Sequence, residues 1–137
     1  MNRYVFDACA LVAFFNDESG ADVVENLFLE ASQGKCDIVM NKYNLLEVYY
    51  GYLRANGEDF AENILSIVES SDIRICDVLT DELFRQASKF KTSYKVSLAD
   101  SMALAQATIE QAVLVTSDHH EMDVIKKDGK LDFYWVR

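Results

Sequence analysis

Residues 4–15 read YVFDACALVAFF, and this stretch decides how the chain folds. Residues 4–6 predict a short buried strand, and residues 8–15 predict a short apolar helix directly after it. Asp7 carries the one charge in the stretch. A strand that leads into a helix is typical of parallel β-α units, whose ligands bind at the carboxyl ends of the strands. We therefore expect Asp7 to border a ligand site.

The rest of the chain repeats this alternation of short β-rich runs and longer amphipathic runs. Four more strands are predicted at residues 37–40, 73–78, 112–116 and 133–136, the last at an edge of the sheet. Helices are predicted at residues 21–32, 42–55, 58–69, 80–91, 97–111 and 119–127. At 137 residues the chain is expected to be a single domain, residues 1–137, with an α/β fold and helices on both faces of its sheet.

Composition and charge exclude several classes of protein. No apolar run approaches the length of a membrane span, and residues 1–7 lack the features of a signal peptide. Three cysteines without close spacing indicate reduced thiols in an intracellular, cytoplasmic protein rather than a disulfide framework or zinc site. The net charge of −10 counts against nucleic-acid binding unless the acids surround a metal, and it also suits a basic partner protein.

Glu47 is the second acid in apolar surroundings. It lies in the segment NLLEVYYGYL, and the nearest basic residues, Lys42 and Arg54, are five and seven positions away. A solvated glutamate on a helix is usually stabilised by a basic side chain three or four positions away. A surface position remains the alternative, but the pattern favours a Glu47 that faces a site.

Asp100 and Asp118 each have two interpretations. Asp100 lies in VSLADSMALAQA and follows Ser97 at the spacing of a capping box, and Asp118 lies in VLVTSDHHEMD with Glu121 three residues later. Both acids are therefore either helix caps or metal ligands, and the two roles are compatible.

Side chains near Asp118 are candidates for a supporting role. Thr116 and Ser117 would place hydroxyl groups at the strand end, and Glu121 and Asp123 are possible outer acids. The adjacent His119 and His120 point in different directions and are expected to be exposed polar residues rather than ligands.

Four carboxylates that met in one cleft would repel one another and would require a divalent cation to stay ionised. Mg²⁺ or Mn²⁺ suits an all-oxygen site, and one or two such ions could bracket a scissile phosphate. The residues Asp7, Glu47, Asp100 and Asp118 are therefore the candidate metal ligands and catalytic groups, and hydrolysis of phosphodiesters is the expected chemistry.

In this order, the four segments resemble a PIN-domain ribonuclease, most closely the VapC-like toxins of type II toxin–antitoxin modules. The resemblance implies a three-layer α/β/α sandwich with a mainly parallel central sheet. It also implies Mg²⁺- or Mn²⁺-dependent endoribonuclease activity, with the metal held at Asp7, Glu47, Asp100 and Asp118. The partners that it implies are an RNA substrate, an antitoxin protein and a second copy of the chain in a homodimer.

One position departs from the family pattern. Two residues after the first acid a Ser or Thr is frequent, whereas this chain has Cys9. Because a thiol is a weak substitute for a hydroxyl, water positioning would depend more on Thr116 and Ser117.

Three other functions use similar features. A phosphatase with an aspartyl nucleophile usually carries a second Asp at the position of Cys9, and a phospho-accepting signalling domain needs a Lys where this chain has Ser117 and Asp118. A PIN-like fold that only binds a partner is the third, and four intact acids argue against it.

Overall fold

The computed structural model describes residues 1–129 and 131–137. Within these ranges no helix has the length and apolar character required to cross a membrane. The strands are β1 (Asn2–Phe6), β2 (Cys36–Asn41), β3 (Ile73–Cys76), β4 (Val113–Thr116) and β5 (Phe133–Trp135). The helices are α1 (Ala8–Phe15), α2 (Ala21–Ser32), α3 (Lys42–Asn56), α4 (Glu58–Ser70), α5 (Asp81–Ser93), α6 (Leu98–Glu110) and α7 (His119–Lys127).

The five strands form one parallel sheet in the order β3-β2-β1-β4-β5. Strands β2 and β3 thus lie on one side of β1, and the chain then crosses over so that β4 and β5 lie on the other side. Phe6 of β1 lies opposite Val115 of β4. In sheets of this kind the ligand crevice opens beyond the carboxyl ends of the strands, at the point where the strand order reverses. That point lies between β1 and β4, next to Asp7 and Asp118.

Two apolar cores cover the two faces of the sheet. Successive residues of a strand point to opposite faces, and accordingly Phe6 packs with α1, α2, α3 and α4 whereas Val5 packs with α5, α6 and α7. The result is three layers, α/β/α, as the resemblance implied. The Ala-rich α6 is buried over nine consecutive residues, Ala99–Ala107, because its small side chains allow close packing on the sheet.

Three elements have a boundary two residues away from the one predicted: β1, β3 and α5. Strand β1 was expected to begin at residue 4 but begins at Asn2. Strand β3 was expected to reach residue 78 but ends at Cys76, because its neighbour β2 ends at the paired residue Asn41 and turns into α3. Helix α5 was expected to end near residue 91 but continues to Ser93. Thr92 fits within the helix because its hydroxyl donates a hydrogen bond to the Ser88 carbonyl, four residues earlier, at 2.9 Å.

The turn between α1 and α2 packs closely against the residues that follow β5. Arg137 donates to the Glu18 carboxylate at 3.2 Å and to the Ser19 carbonyl at 3.3 Å. Gly20 has a φ of 96°, and a Cβ there would collide with the backbone carbonyl and side chain of Val136. Glycine is therefore required at position 20 for two reasons: its positive φ, and the close approach of its backbone to Val136.

We expect Gly20→Ala to lower the free energy of unfolding by about 2–4 kcal/mol, from backbone strain plus overpacking against Val136. Gly34→Ala is the matched control, because Gly34 also has a positive φ, 73°, but has open space around it. That control should cost only about 1 kcal/mol. Urea unfolding measures both changes, and equal losses in the two variants would contradict the described packing at Val136.

Candidate metal centre

Asp7 leaves β1 and caps α1 in the interior of the protein. It is 1% exposed, and its Oδ1 accepts a hydrogen bond from the Ala10 amide at 2.9 Å. Its Oδ2 is buried and has no hydrogen-bond partner among the described residues. Asp7 therefore caps α1, as the sequence allowed, but the cap gives a hydrogen bond to only one of its two carboxylate oxygens.

Burial raises the pKa of Asp7 to about 7, because the interior disfavours the charged carboxylate. The Thr116 hydroxyl and the Ala10 amide oppose this shift, although no hydrogen bond of good geometry forms at Oδ2. The negative charges of Asp118 and Glu47 raise the pKa further. Asp7 therefore lies within electrostatic range of both of these acids, and without a cation it is poorly suited to remain ionised.

Asp118 lies at the end of β4, beside the end of β1. Its Oδ1 accepts a hydrogen bond from the Glu121 amide at 3.2 Å, so it caps α7. Its own amide donates to the Thr116 hydroxyl at 3.0 Å, and Thr116 is fully buried. Thr116 therefore fixes the turn on which Asp118 stands, and its supporting role at a metal stays a prediction.

Asp100 reaches the same place from the first turn of α6. Its amide donates to the Ser97 hydroxyl at 3.1 Å, so Ser97 caps this helix, and Asp100 is 8% exposed. One carboxylate oxygen from each of Asp100, Asp118 and Glu121 lies within 4.8 Å of the other two. Three carboxylates at such separations repel one another unless a proton or a cation neutralises them.

Glu47 lies in the middle of α3, where it is half-buried, and it interacts electrostatically with Glu121 of this group. Desolvation raises its pKa, the Tyr50 hydroxyl at 3.4 Å lowers it, and the negative charge of Glu121 raises it. The fold thus places Asp100 and Asp118 in direct proximity to Glu121, which the sequence suggested only as an outer acid, and brings Asp7 and Glu47 within electrostatic range of this group.

The two remaining supporting candidates lie in different surroundings. Ser117 lines a cleft of about 390 Å³ together with Glu47, Tyr50 and Arg137. Asp123 is exposed and contacts His119 Nδ1 at 3.1 Å, so its carboxylate is committed to that histidine. We find no direct contact of Asp123 with the acidic group among the described side chains.

Asn44 is a residue of this site that the sequence argument missed. It lies on α3 one turn before Glu47, is fully buried, and donates from Nδ2 to the Ala99 carbonyl at 2.9 Å. Its Oδ1 is buried and has no hydrogen-bond partner among the described residues. The amide therefore ties α3 to α6 next to Asp100. A polar residue on the inner face of an apolar helix was the available signal.

Arg137 is a second missed residue, and it is the basic side chain in the wall of the cleft. Glu18 and the Ser19 carbonyl hold its guanidinium there. The Cys9 thiol, also in this wall, has its pKa raised to about 12 by desolvation and by the charges of Asp7, Asp118 and Glu47. Without a cation nearby, Cys9 is therefore expected to remain a thiol rather than a thiolate.

The donor set suits a hard divalent cation. All of the groups that converge here are carboxylates, and one of them has a buried oxygen with no other partner. Mg²⁺ and Mn²⁺ prefer oxygen ligands, and binding either would offset both the desolvation of Asp7 and the repulsion among the other acids. Residues Asp7, Glu47, Asp100 and Asp118, with Glu121 beside them, therefore fit such an ion.

Comparisons with known proteins agree with this geometry. Residues 4–127 match the sequence profile of the PIN domain family. No curated protein sequence matches the chain at a significant level.

Solved structures with the same fold include three from bacterial toxin–antitoxin systems. VapBC2 from Rickettsia felis, bound to a DNA fragment from the promoter, has 19% identity and a TM-score of 0.73, with 96% of this chain and 97% of that chain covered. A toxin–antitoxin complex from Klebsiella pneumoniae has 16% identity and a TM-score of 0.70, with 98% of each chain covered. VapC20 from Mycobacterium tuberculosis, a toxin that cleaves the sarcin-ricin loop, has 16% identity and a TM-score of 0.67, with 85% and 91% covered. At such identities the likeness establishes the fold.

Stability of the metal-free protein should fall as pH rises from about 4 to about 7. In this window the folded state keeps the Asp7 proton, since its pKa is about 7, while the unfolded chain, with a pKa near 3.8, releases it. The free energy of unfolding should therefore fall by up to about 1.4 kcal/mol per pH unit. Above pH 7 the loss is complete.

The variant Asp7→Asn should lack this slope and be more stable than wild type at pH 8 in EDTA, because it keeps the cap on Ala10 without the buried charge. Denaturant unfolding from pH 4 to pH 8 measures the effect. Asp132→Asn, at an exposed aspartate, is the control and should keep the wild-type slope. A wild-type protein whose stability rises through this window would contradict the described burial of Asp7.

Proposed function

The chain belongs to the PIN domain family, and we propose that it is a metal-dependent endoribonuclease, the toxin of a toxin–antitoxin pair. The proposal takes residues 1–137 as one PIN-like domain. The observation that carries it is the group of acids at one end of the sheet, in which Asp100, Asp118 and Glu121 lie within 4.8 Å of one another and a buried Asp7 oxygen without a described partner lies within their electrostatic range. A protein that used these acids only as helix caps would have no reason to gather them.

In this proposal Asp7, Glu47, Asp100 and Asp118 hold one or two ions of Mg²⁺ or Mn²⁺. When bound, the cation supplies positive charge that favours ionisation of the attacking water and offsets charge on the departing oxygen. One of these four carboxylates accepts the proton of the attacking water. Thr116 and Ser117 orient the strand-end turn, which fixes where Asp118 stands.

RNA as the substrate is supported by the family and by the activity named for the Mycobacterium tuberculosis toxin. Within this chain Arg137 supplies a positive group in the cleft beside Glu47. We propose that its guanidinium binds a phosphate of the RNA and that Glu18 holds the side chain in place for this purpose. An arginine suits the role because its planar group can donate two hydrogen bonds to a phosphate.

The competing functions account for fewer of these features. An aspartyl phosphatase would need an acid at Cys9, whose thiol is protonated, and a phospho-accepting domain would need a lysine after β4, where Ser117 and Asp118 stand. A module that only binds a partner requires no cluster of carboxylates.

An antitoxin is the proposed protein partner, as in the toxin–antitoxin structures that share this fold. A mainly apolar groove of about 470 Å³ between α1, α2 and α4 offers it a docking surface, lined by Phe14, Phe28 and Leu29 with Glu25 and Asp72 among its polar residues. The acidic side chains favour a segment with an apolar face and basic side chains. A homodimer and a cytoplasmic location remain part of the proposal.

Thermal unfolding tests the cation directly. With Mn²⁺ or Mg²⁺ at about 100 times the dissociation constant, the free energy of unfolding should rise by about 2.7 kcal/mol, which corresponds to a rise of several degrees in Tm. Asp7→Asn and Asp100→Asn should reduce this rise, whereas Asp132→Asn should keep it. A wild-type Tm that stays constant up to saturating metal would contradict the metal centre.

Cleavage of total cellular RNA by the purified protein tests the activity. We expect fragments with Mg²⁺ or Mn²⁺ and none with EDTA, and a loss of about 100-fold or more in rate for Asp7→Asn, Glu47→Gln and Asp100→Asn. Circular dichroism confirms that each variant is folded, and Asp132→Asn is again the control. Cleavage that persists in EDTA, or in all three variants, would refute the proposed mechanism.

A further inference from the structure

A stack of planar side chains lies where α7 begins, and its outer ring belongs to the residue that follows Asp118 in the chain. The imidazole of His119, the first residue of α7, lies on the indole of Trp135 in β5, with 3.9 Å between ring centroids and 17° between planes. The ring of Phe133 lies 5.3 Å from that of Trp135 at only 8°. His119 follows Asp118 directly, so the outer ring of this stack adjoins a proposed metal ligand.

The His119 ring is held in a fixed plane. Its Nδ1 contacts the Asp123 carboxylate at 3.1 Å, and its Nε2 contacts the Arg137 carbonyl at 2.8 Å. Both ring nitrogens therefore already have partners, while the side chain remains 48% exposed. Because Trp135 covers one face, the other face is what the ring presents to a ligand.

Positive charge accompanies the stack in an otherwise acidic chain. Lys126 lies seven residues after His119, on the same side of α7, and its Nζ is 5.5 Å from the centroid of the Trp135 ring. Arg137, whose carbonyl holds His119, places its side chain in the cleft with Ser117 and Glu47. Basic residues thus accompany both rings, Lys126 at Trp135 and Arg137 at His119, and phosphates that flank a stacked base would meet positive charge there.

We propose that the exposed face of His119, supported by Trp135, stacks on a nucleobase of single-stranded RNA adjacent to the phosphate held at the acidic group. The proposal rests on the proposed function, which makes RNA the substrate, and adds the surface that binds one of its bases. Stacking accepts any base, since every base has a flat face, so the surface positions the strand without selecting a sequence. His119 acts here as a positioning residue.

A purely structural role is the alternative, in which the stack only joins α7 to β5. The two roles make different demands on residue 119. A structural role needs the hydrogen bonds to Asp123 and Arg137 or simply a bulky apolar contact, whereas base stacking needs an aromatic face. The matched variants His119→Phe and His119→Leu both lose the hydrogen bonds, and only the first keeps an aromatic ring.

Fluorescence of Trp135, the single tryptophan of the chain, reports on binding at this place. Oligoadenylate of about ten nucleotides, a length within the range of single-strand sites, is titrated in the presence of Mg²⁺. Each His119 variant is made in the Asp7→Asn background so that the RNA stays intact. We expect His119→Leu to raise Kd by at least about fivefold and His119→Phe to stay within about twofold of the His119 parent, from the usual strength of base–aromatic stacking.

Equal Kd values for the Phe and Leu variants, whether weak or tight, would overturn the proposal. A second measurement needs no change at His119: the Asp7→Asn protein is titrated with oligoadenylates that lack one base at successive positions. One position should show a loss of at least about fivefold, and a flat profile would overturn the proposal.

Failure of the proposed function has a different signature. If wild-type protein leaves total RNA intact with Mg²⁺ but the Phe and Leu variants differ in Kd, the nuclease is refuted and the stacking surface stands. If RNA is cleaved but the two variants bind alike, the reverse holds.

Discussion

The carboxylate of Asp7 lies in the interior with one oxygen bonded to an amide and the other without a described partner. Burying a charged group in this way is among the most unfavourable things a fold can do, and here the pKa of about 7 expresses that cost. Either a proton or a bound cation neutralises this group, and the gathering of further acids around it suits the cation. Parallel strands β1 and β4 bring Asp7 and Asp118 to one edge, and α3 and α6 add acids from the two opposite helical layers. Asp7 and Asp118 each use one carboxylate oxygen to cap a helix, and the buried Asp7 Oδ2 is left without a described partner.

The strand and helix order and the positions of the acids could be predicted from the sequence, because the signals for them lie within a few residues of one another. Asp7 and Asp118 end apolar strands and cap the helices that follow, and both signals lie within a few residues of the acid. Parallel strands follow from continuous apolar runs separated by helices. The end of β3 was placed two residues too late because it depends on where β2 stops, which is a property of the neighbouring strand.

The residues that sequence reasoning missed act over long separations. Asn44 bonds to Ala99, 55 residues away, and Arg137 contacts Glu18, 119 residues away. No periodicity or cap rule links such positions, so only the folded chain reveals them. The same is true of His119, which the sequence suggested to be an exposed polar residue. It is indeed exposed, but Trp135 and the Arg137 carbonyl give it a fixed orientation.

The close packing of Gly20 on Val136 has a consequence for how the protein is made. This contact helps to hold Arg137 in the cleft beside Cys9 and Glu47. The cleft therefore combines residues that lie more than 120 positions apart in the chain. A nascent polypeptide still on the ribosome contains Asp7 and Glu47 long before β4 can pair with β1 and β5 can pair with β4. The cleft beside Glu47 is therefore complete only after the chain has been synthesised through Arg137 and has folded back onto the turn that contains Gly20.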